Sequence, residues 1–80
     1  MKLTMRDGRV FEGTPAEMVR AMQALAFGVE KLSIDAYIDW VVTNVRRFEG
    51  VELVVDGKSA EERAASLVEE MVENGLASRE

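Results

Sequence analysis

The sequence contains no histidine and no cysteine. Without histidine it lacks the side chain that most often serves as general base, metal ligand and pH switch. Without cysteine it forms no disulfide and no thiolate metal site, so its stability must come from packing and helix caps, and a cytoplasmic location is expected. Together these absences exclude serine–histidine, cysteine–histidine and zinc-type catalytic chemistry.

Proline and long apolar runs are also scarce. The chain has one proline, and its six glycines are scattered, which leaves no linker within 80 residues. A chain of this length supports one hydrophobic core, so residues 1–80 are predicted to form a single domain. No apolar run approaches the roughly 18 residues of a membrane span, and the first residues lack a signal-peptide pattern, so no membrane association is expected.

Basic residues are too few to balance the acidic ones, and the imbalance is local. The net charge is −5, with +1 on residues 1–28, −1 on residues 29–50 and −5 on residues 51–80. Such an asymmetry bears on binding partners more than on fold. We expect a protein partner with a basic surface and no direct binding to DNA, because the charge repels phosphates.

The segment Lys2–Glu12 is predicted to be a β-hairpin, because an Asp-Gly pair separates two runs of strand-forming residues. With Gly8 in the left-handed bulge position, Leu3 pairs with Phe11. The alternative two-residue turn would expose Phe11, which a small core tolerates poorly, so the bulged register is favoured.

The first helix has a complete start signal. Thr14 is the predicted N-cap, Pro15 occupies the first helical position, and Glu17 closes a capping box. The helix is predicted to continue to about Phe27 and to stop at Gly28. Phe27 lies opposite the apolar stripe of this helix, so it either curls round the helix end or is exposed.

The second helix is predicted between Ser33 and Gly50. Its apolar stripe comprises Ile34, Tyr37, Ile38, Val41, Val45 and Phe48. Trp40 lies off this stripe, and two interpretations remain open: it is a half-buried ring that covers the hairpin or the last helix, or it is a binding anchor. Asp35 and Asp39 are explained as solvated carboxylates near the helix N-terminus.

The segment Val51–Asp56 alternates apolar and polar residues and is predicted to be the third strand. Ser59 and Glu62 form a second capping box, which begins a helix that ends near Asn74, before Gly75. Its inward side is predicted to contain Ala60, Ala64, Leu67, Val68 and Met71.

These elements predict an α+β fold with a three-stranded antiparallel sheet and three helices packed on one face, in the order β-β-α-α-β-α. No catalytic residue, cofactor site or metal site is predicted, because carboxylates are the main remaining reactive groups and too few of them converge. We therefore expect a protein without enzymatic activity.

The last helix carries a ridge of glutamates. At 100° per residue, Glu62, Glu69 and Glu73 fall within about 40° of one another, and Glu70 flanks them. No Lys or Arg lies at the i+4 spacing that would neutralise them, and Glu69 and Glu73 repel each other. The ridge is either a solvated helix face or, as we hypothesise, a surface that binds a partner's basic groove; Trp40 is the other candidate partner-binding residue.

The chain resembles the small acidic proteins of phages and mobile elements, among them anti-CRISPR proteins and other DNA mimics. The shared features are small size, a lack of His and Cys, capped helices and an acidic ridge, here Glu62, Glu69, Glu70 and Glu73. The resemblance covers the general build of the whole chain and no diagnostic motif. It implies a monomeric, stoichiometric inhibitor that occupies the nucleic-acid-binding groove of a defence complex. Five arginines depart from a uniformly acidic mimic and leave the last helix as the mimic face: Arg6, Arg9, Arg20, Arg46 and Arg47.

Two other classes compete with this hypothesis. One is a homodimeric interaction or adaptor protein, similar to an antitoxin, that binds through Trp40 or a sheet edge. The other is a nucleic-acid binder that uses Arg46 and Arg47 with the hairpin arginines, which the acidic composition disfavours.

Overall fold

The computed structural model describes all 80 residues and contains six elements of regular structure. In chain order they are β1 (Lys2–Met5), β2 (Val10–Glu12), α1 (Pro15–Leu25), α2 (Ile34–Glu49), α3 (Ala60–Glu73) and β3 (Ala77–Arg79). The strands form one antiparallel sheet in the order β2-β1-β3. The predicted α+β class, with a three-stranded antiparallel sheet and three helices, is confirmed.

The hairpin of β1 and β2 has the predicted bulged register, with Leu3 opposite Phe11. Gly8 in the turn has a φ of 94°, a left-handed conformation that glycine adopts without steric cost. Leu3 and Phe11 are buried, whereas Val10 and Glu12 are exposed. The sheet therefore has one covered face, against which α1 and α3 pack, and one face toward solvent.

The position of the third strand differs from the prediction. The segment Val51–Asp56 is extended but belongs to no strand. The third strand is β3, which follows α3 and pairs with β1, so the element order is β-β-α-α-α-β. The alternating pattern did identify the inward side of Val51–Asp56, because Leu53 is only 3% exposed.

Contacts with α3 replace strand pairing in this segment. The amide of Val54 donates to Glu70 Oε1 at 2.8 Å, and the amide of Asp56 donates to Ser66 Oγ at 3.1 Å. Residue numbers rise along the segment as they fall along α3, so the two run antiparallel. Sequence periodicity shows which side of an extended segment is buried, but not whether its amides meet another strand or side-chain acceptors.

The predicted caps set the starts of the helices. At α1 the Glu17 amide donates to Thr14 Oγ1 at 3.2 Å, and the Thr14 amide donates to Glu17 Oε1 at 2.9 Å. Hydrogen bonds with the Thr14 backbone and side chain lower the pKa of Glu17, so this cap weakens as the pH falls through that pKa. Ser59 and Glu62 form the same box at α3, and α1 ends at Leu25, before its predicted end.

The core lies between the sheet and the helices, with α3 at its centre. α3 packs against α1, α2 and β3. Its inward stripe is buried as predicted, except that Ala60 is only half-buried. The largest fully buried side chains of the domain are Leu3, Met18, Val19, Ile38, Leu67 and Val68. They come from both the sheet and all three helices, so the two layers share this core.

Gln23 is the only buried polar residue. Its Nε2 donates to the carbonyl oxygens of Val29 and Leu32, each at 2.8 Å. The Leu32 amide also donates to the Val29 carbonyl at 3.1 Å. One side chain of α1 therefore determines the course of the loop between α1 and α2.

Replacing Leu67 by Ala is expected to lower the free energy of unfolding by about 3 kcal/mol, because it leaves a cavity where α3 meets the other layers. Urea denaturation measures the change. Val54→Ala, at an exposed position, is the control and should cost less than about 0.5 kcal/mol. A similarly small loss for Leu67→Ala would show that another side of α3 points inward.

Replacing Gln23 by Met keeps the length of the side chain and removes both of its donors. We expect a loss of about 2 kcal/mol, because two hydrogen bonds of about 1 kcal/mol each, to the Val29 and Leu32 carbonyls, are removed. Amide exchange in the loop between α1 and α2 should accelerate more than exchange in α3. An unchanged loop would mean that Gln23 packs there without organising the backbone.

Candidate protein-binding surfaces

The outer side of α3 carries the predicted ridge. Glu62, Glu69 and Glu73 are exposed and Glu70 is half-buried, while the apolar stripe of the same helix faces the core. An amphipathic helix that buries one side must present the opposite side to solvent. The structure therefore brings all four predicted carboxylates to the outer surface of α3.

Two of these carboxylates organise the backbone around α3. Glu62 Oε1 accepts from the Lys58 and Ser59 amides at 2.8 and 3.2 Å, which completes the helix cap. Glu70 Oε1 accepts from the Val54 amide at 2.8 Å and ties the extended segment to the helix. Both residues thus have a structural role in addition to their charge.

Glu69 has a basic partner that helical spacing does not reveal. Arg79 Nη1 donates to Glu69 Oε1 at 3.0 Å. Pairing of β3 with β1 brings Arg79 beside α3, which corrects the expectation that no base neutralises the ridge. Glu73 forms no ion pair and no side-chain hydrogen bond, and thus remains available to a partner.

The tertiary structure adds two carboxylates to this surface. Leu53 points inward, so the alternate residues Glu52 and Asp56 are exposed beside α3. Neither side chain forms an ion pair. We name the carboxylates of these two stretches the acidic face; its members are Glu52, Asp56, Glu61, Glu62, Glu69, Glu70 and Glu73.

Arg63 lies on α3 but pairs with a different helix. Its Nη1 donates to Asp35 Oδ1 at 2.8 Å, and its Nη2 donates to Asp39 Oδ1 at 2.5 Å. Hydrogen bonds to Asp39 and Asp35 raise the pKa of Arg63. Asp35 and Asp39, predicted as solvated carboxylates, are therefore ion-paired to α3, and Arg63 does not offset the acidic face.

Trp40 is 38% exposed. Its ring stacks on Tyr37, with centroids 5.8 Å apart and planes inclined by 20°. Tyr37 is buried, and burial raises the pKa of its hydroxyl. One side of the Trp40 ring is thus covered by its own helix, whereas the first interpretation placed the ring over the hairpin or the last helix. Its role as a binding anchor stays a prediction.

A second surface feature is an apolar groove of about 360 Å³, which no pattern in the sequence predicted. It lies between the β1–β2 turn, the end of α1 and the second half of α2, and its walls include Met22, Leu25, Tyr37, Val41, Val45 and Met71. Two ion pairs form its rim, Arg6 with Glu49 and Arg9 with Asp7. The apolar stripe of α2 predicted one wall of the groove. A groove also depends on how far apart the surrounding elements lie, which helical periodicity does not predict.

The groove adjoins the second half of α2, which is less deeply buried than the first half. The buried residues of α2 are Ile34, Tyr37 and Ile38, all in its first half. In the second half Val45 is half-buried and Phe48 is 74% exposed. The rest of the chain therefore covers the beginning of the apolar stripe of α2 but leaves its end partly exposed.

Phe27 is completely exposed, at 100% of its surface, and Leu25 is 57% exposed. Of the two predicted alternatives for Phe27, the exposed one is confirmed. The loop that carries Phe27 follows α1 directly. It therefore places an uncovered aromatic ring next to the groove.

Comparison of the chain with protein-family models, with curated proteins and with solved structures finds no match. Within the structure, no group of three or more carboxylates is arranged to hold a metal ion. No helix combines the length and apolar character needed to cross a membrane. The acidic face and the apolar groove are the two surface features that bear on function.

Glu70→Ala should release the extended segment from α3, because it removes the acceptor of the Val54 amide. We expect amide exchange at Val54 to accelerate by about tenfold, as for the loss of a hydrogen bond that contributes about 1.4 kcal/mol. Glu70→Gln is the matched control, since it keeps an acceptor oxygen. Equal exchange rates in the two variants would contradict this role.

Proposed function

We propose that this chain is a non-enzymatic protein-binding module, a stoichiometric inhibitor that presents its acidic face to the basic nucleic-acid-binding groove of a CRISPR-type defence complex. The position of the charge supports this proposal. Residues 51–73 contain seven acidic and two basic side chains, a net charge of −5, which equals that of the whole chain. The rest of the chain is neutral in sum, and its Arg79 offsets only Glu69 on the acidic face, so this face still attracts a basic partner.

The acidic face has two rows of carboxylates. On α3, Glu69 and Glu73 are about 6 Å apart along the helix axis. Along the extended segment, Glu52 and Asp56 are about 13 Å apart. A groove that binds nucleic acid presents Lys and Arg side chains at intervals set by the phosphates, which recur on each strand about every 3.4 Å along the duplex axis. These long, flexible side chains can adjust to carboxylates at such spacings.

Internal hydrogen bonds prepare part of this surface for binding. Glu62, Glu69 and Glu70 are each held by a donor within the chain. A carboxylate that is already ordered loses less conformational entropy when a partner binds. Each carboxylate offers about four acceptor sites, so these residues can still accept from a partner.

The test compares two charge-matched double variants. Glu61→Gln/Glu73→Gln changes the acidic face, and Glu12→Gln/Glu30→Gln changes exposed carboxylates elsewhere. Each changes the net charge from −5 to −3, because two negative charges are removed. The readout is inhibition of target-DNA binding by a panel of purified, guide-loaded CRISPR effector complexes, at several salt concentrations.

We expect the acidic-face variant to lose inhibition by about tenfold or more, mainly through slower association, and added salt to weaken the parent in the same way. The control variant should stay within about twofold of the parent. Equal losses in both variants would show that net charge alone matters. The proposal would be contradicted if this chain inhibited no complex in the panel. It would also be contradicted if this chain alone bound DNA in a gel-shift assay.

A further inference from the structure

Phe27 and the apolar groove are neighbouring features of one surface. Leu25 and Ala26, the two residues before Phe27, line the groove. The Phe27 ring itself is fully exposed, so it does not enter the groove of its own chain. The same face therefore combines a protruding apolar group with an apolar depression.

The loop that displays Phe27 is ordered by its own contacts. Gln23 holds the carbonyls of Val29 and Leu32, and the Val29 side chain is buried. Gly28 has a φ of 79°, which turns the chain sharply after Phe27. The ring is thus presented outward by a fixed backbone, as a binding anchor is.

We infer that the groove is occupied by Phe27 of a second copy of this chain, in a two-fold symmetric dimer with reciprocal insertion. A two-fold interface uses the same patch on both copies, so the patch must supply both the inserted group and its receptor. This surface supplies both. A partner that filled only the groove would leave Phe27 in water, whereas a second copy covers the ring and the groove together.

The charges around the groove permit this approach. Its rim contains two bases and two acids, which form the pairs Arg6–Glu49 and Arg9–Asp7. No residue of the acidic face lines the groove. Two copies with a charge of −5 each therefore meet through a locally neutral surface, which avoids the repulsion between like charges that the acidic face would cause.

The area available indicates a weak dimer. A phenylalanine buries about 200 Å², so two rings and the two grooves that receive them bury roughly 800 Å² in total. A standard stable interface buries about 1,600 Å², and smaller ones are characteristic of weak, reversible association. We expect a dissociation constant on the order of 10 to 100 µM.

Sedimentation equilibrium from about 5 to about 500 µM covers this range. The parent should change from monomer to dimer, and Phe27→Ser should raise the dissociation constant by about tenfold or more. Val54→Ser, which removes an exposed apolar side chain outside the groove, should leave it within about twofold of the parent. Circular dichroism checks that both variants fold.

Disulfide trapping provides a second readout, since the parent has no cysteine. Phe27→Cys chains mixed with Val45→Cys chains should form a mixed disulfide under mild oxidation, in preference to a mixture of Phe27→Cys with Val54→Cys. A parent that stays monomeric throughout, a dimer that survives Phe27→Ser, or equal trapping at Val54 would overturn the inference. None of these results affects the acidic-face proposal, because the two surfaces share no residue.

Discussion

Burial of one stripe of α3 is the interaction on which the rest of this domain depends. α3 packs against α1, α2 and β3, and Ala64, Leu67, Val68 and Met71 are the buried residues through which it does so. A buried Leu, Val or Met side chain contributes about 1.5 to 3 kcal/mol, so these few residues supply much of what makes a chain of 80 residues stable. The same burial decides the surface, because a helix with its apolar side inward has its glutamates outward.

The two candidate binding surfaces differ in the physics of their recognition. In the proposed complex the acidic face would act through charge, which guides association and is screened by salt. In the proposed dimer the groove and Phe27 would act through apolar area, which is not screened and mainly slows dissociation. Each copy of a dimer formed through the groove would keep its acidic face uncovered. Two linked acidic faces would bind an extended basic groove more strongly than one, through effective concentration.

Local interactions explain what could be predicted without the structure. The capping boxes at Thr14 and Ser59 involve residues three positions apart, so their partners are visible in the sequence. The hairpin register follows from Gly8 in the turn and from the need to bury Phe11. The inward stripe of α3 and the exposed position of its glutamates follow from helical periodicity.

The α+β class, the helix starts, the hairpin register and the side of α3 that faces solvent were thus predictable from local patterns in the sequence. Three features depend on how the elements pack together: Val51–Asp56 lies along α3 outside the sheet, Arg79 pairs with Glu69, and a groove opens beside Phe27. The reason is the range of the interactions. Caps and periodic stripes are encoded over three to four residues. The contacts of Val51–Asp56 and Arg79 join residues that are distant in the sequence, and the groove depends on the spacing between elements, so no local pattern specifies them.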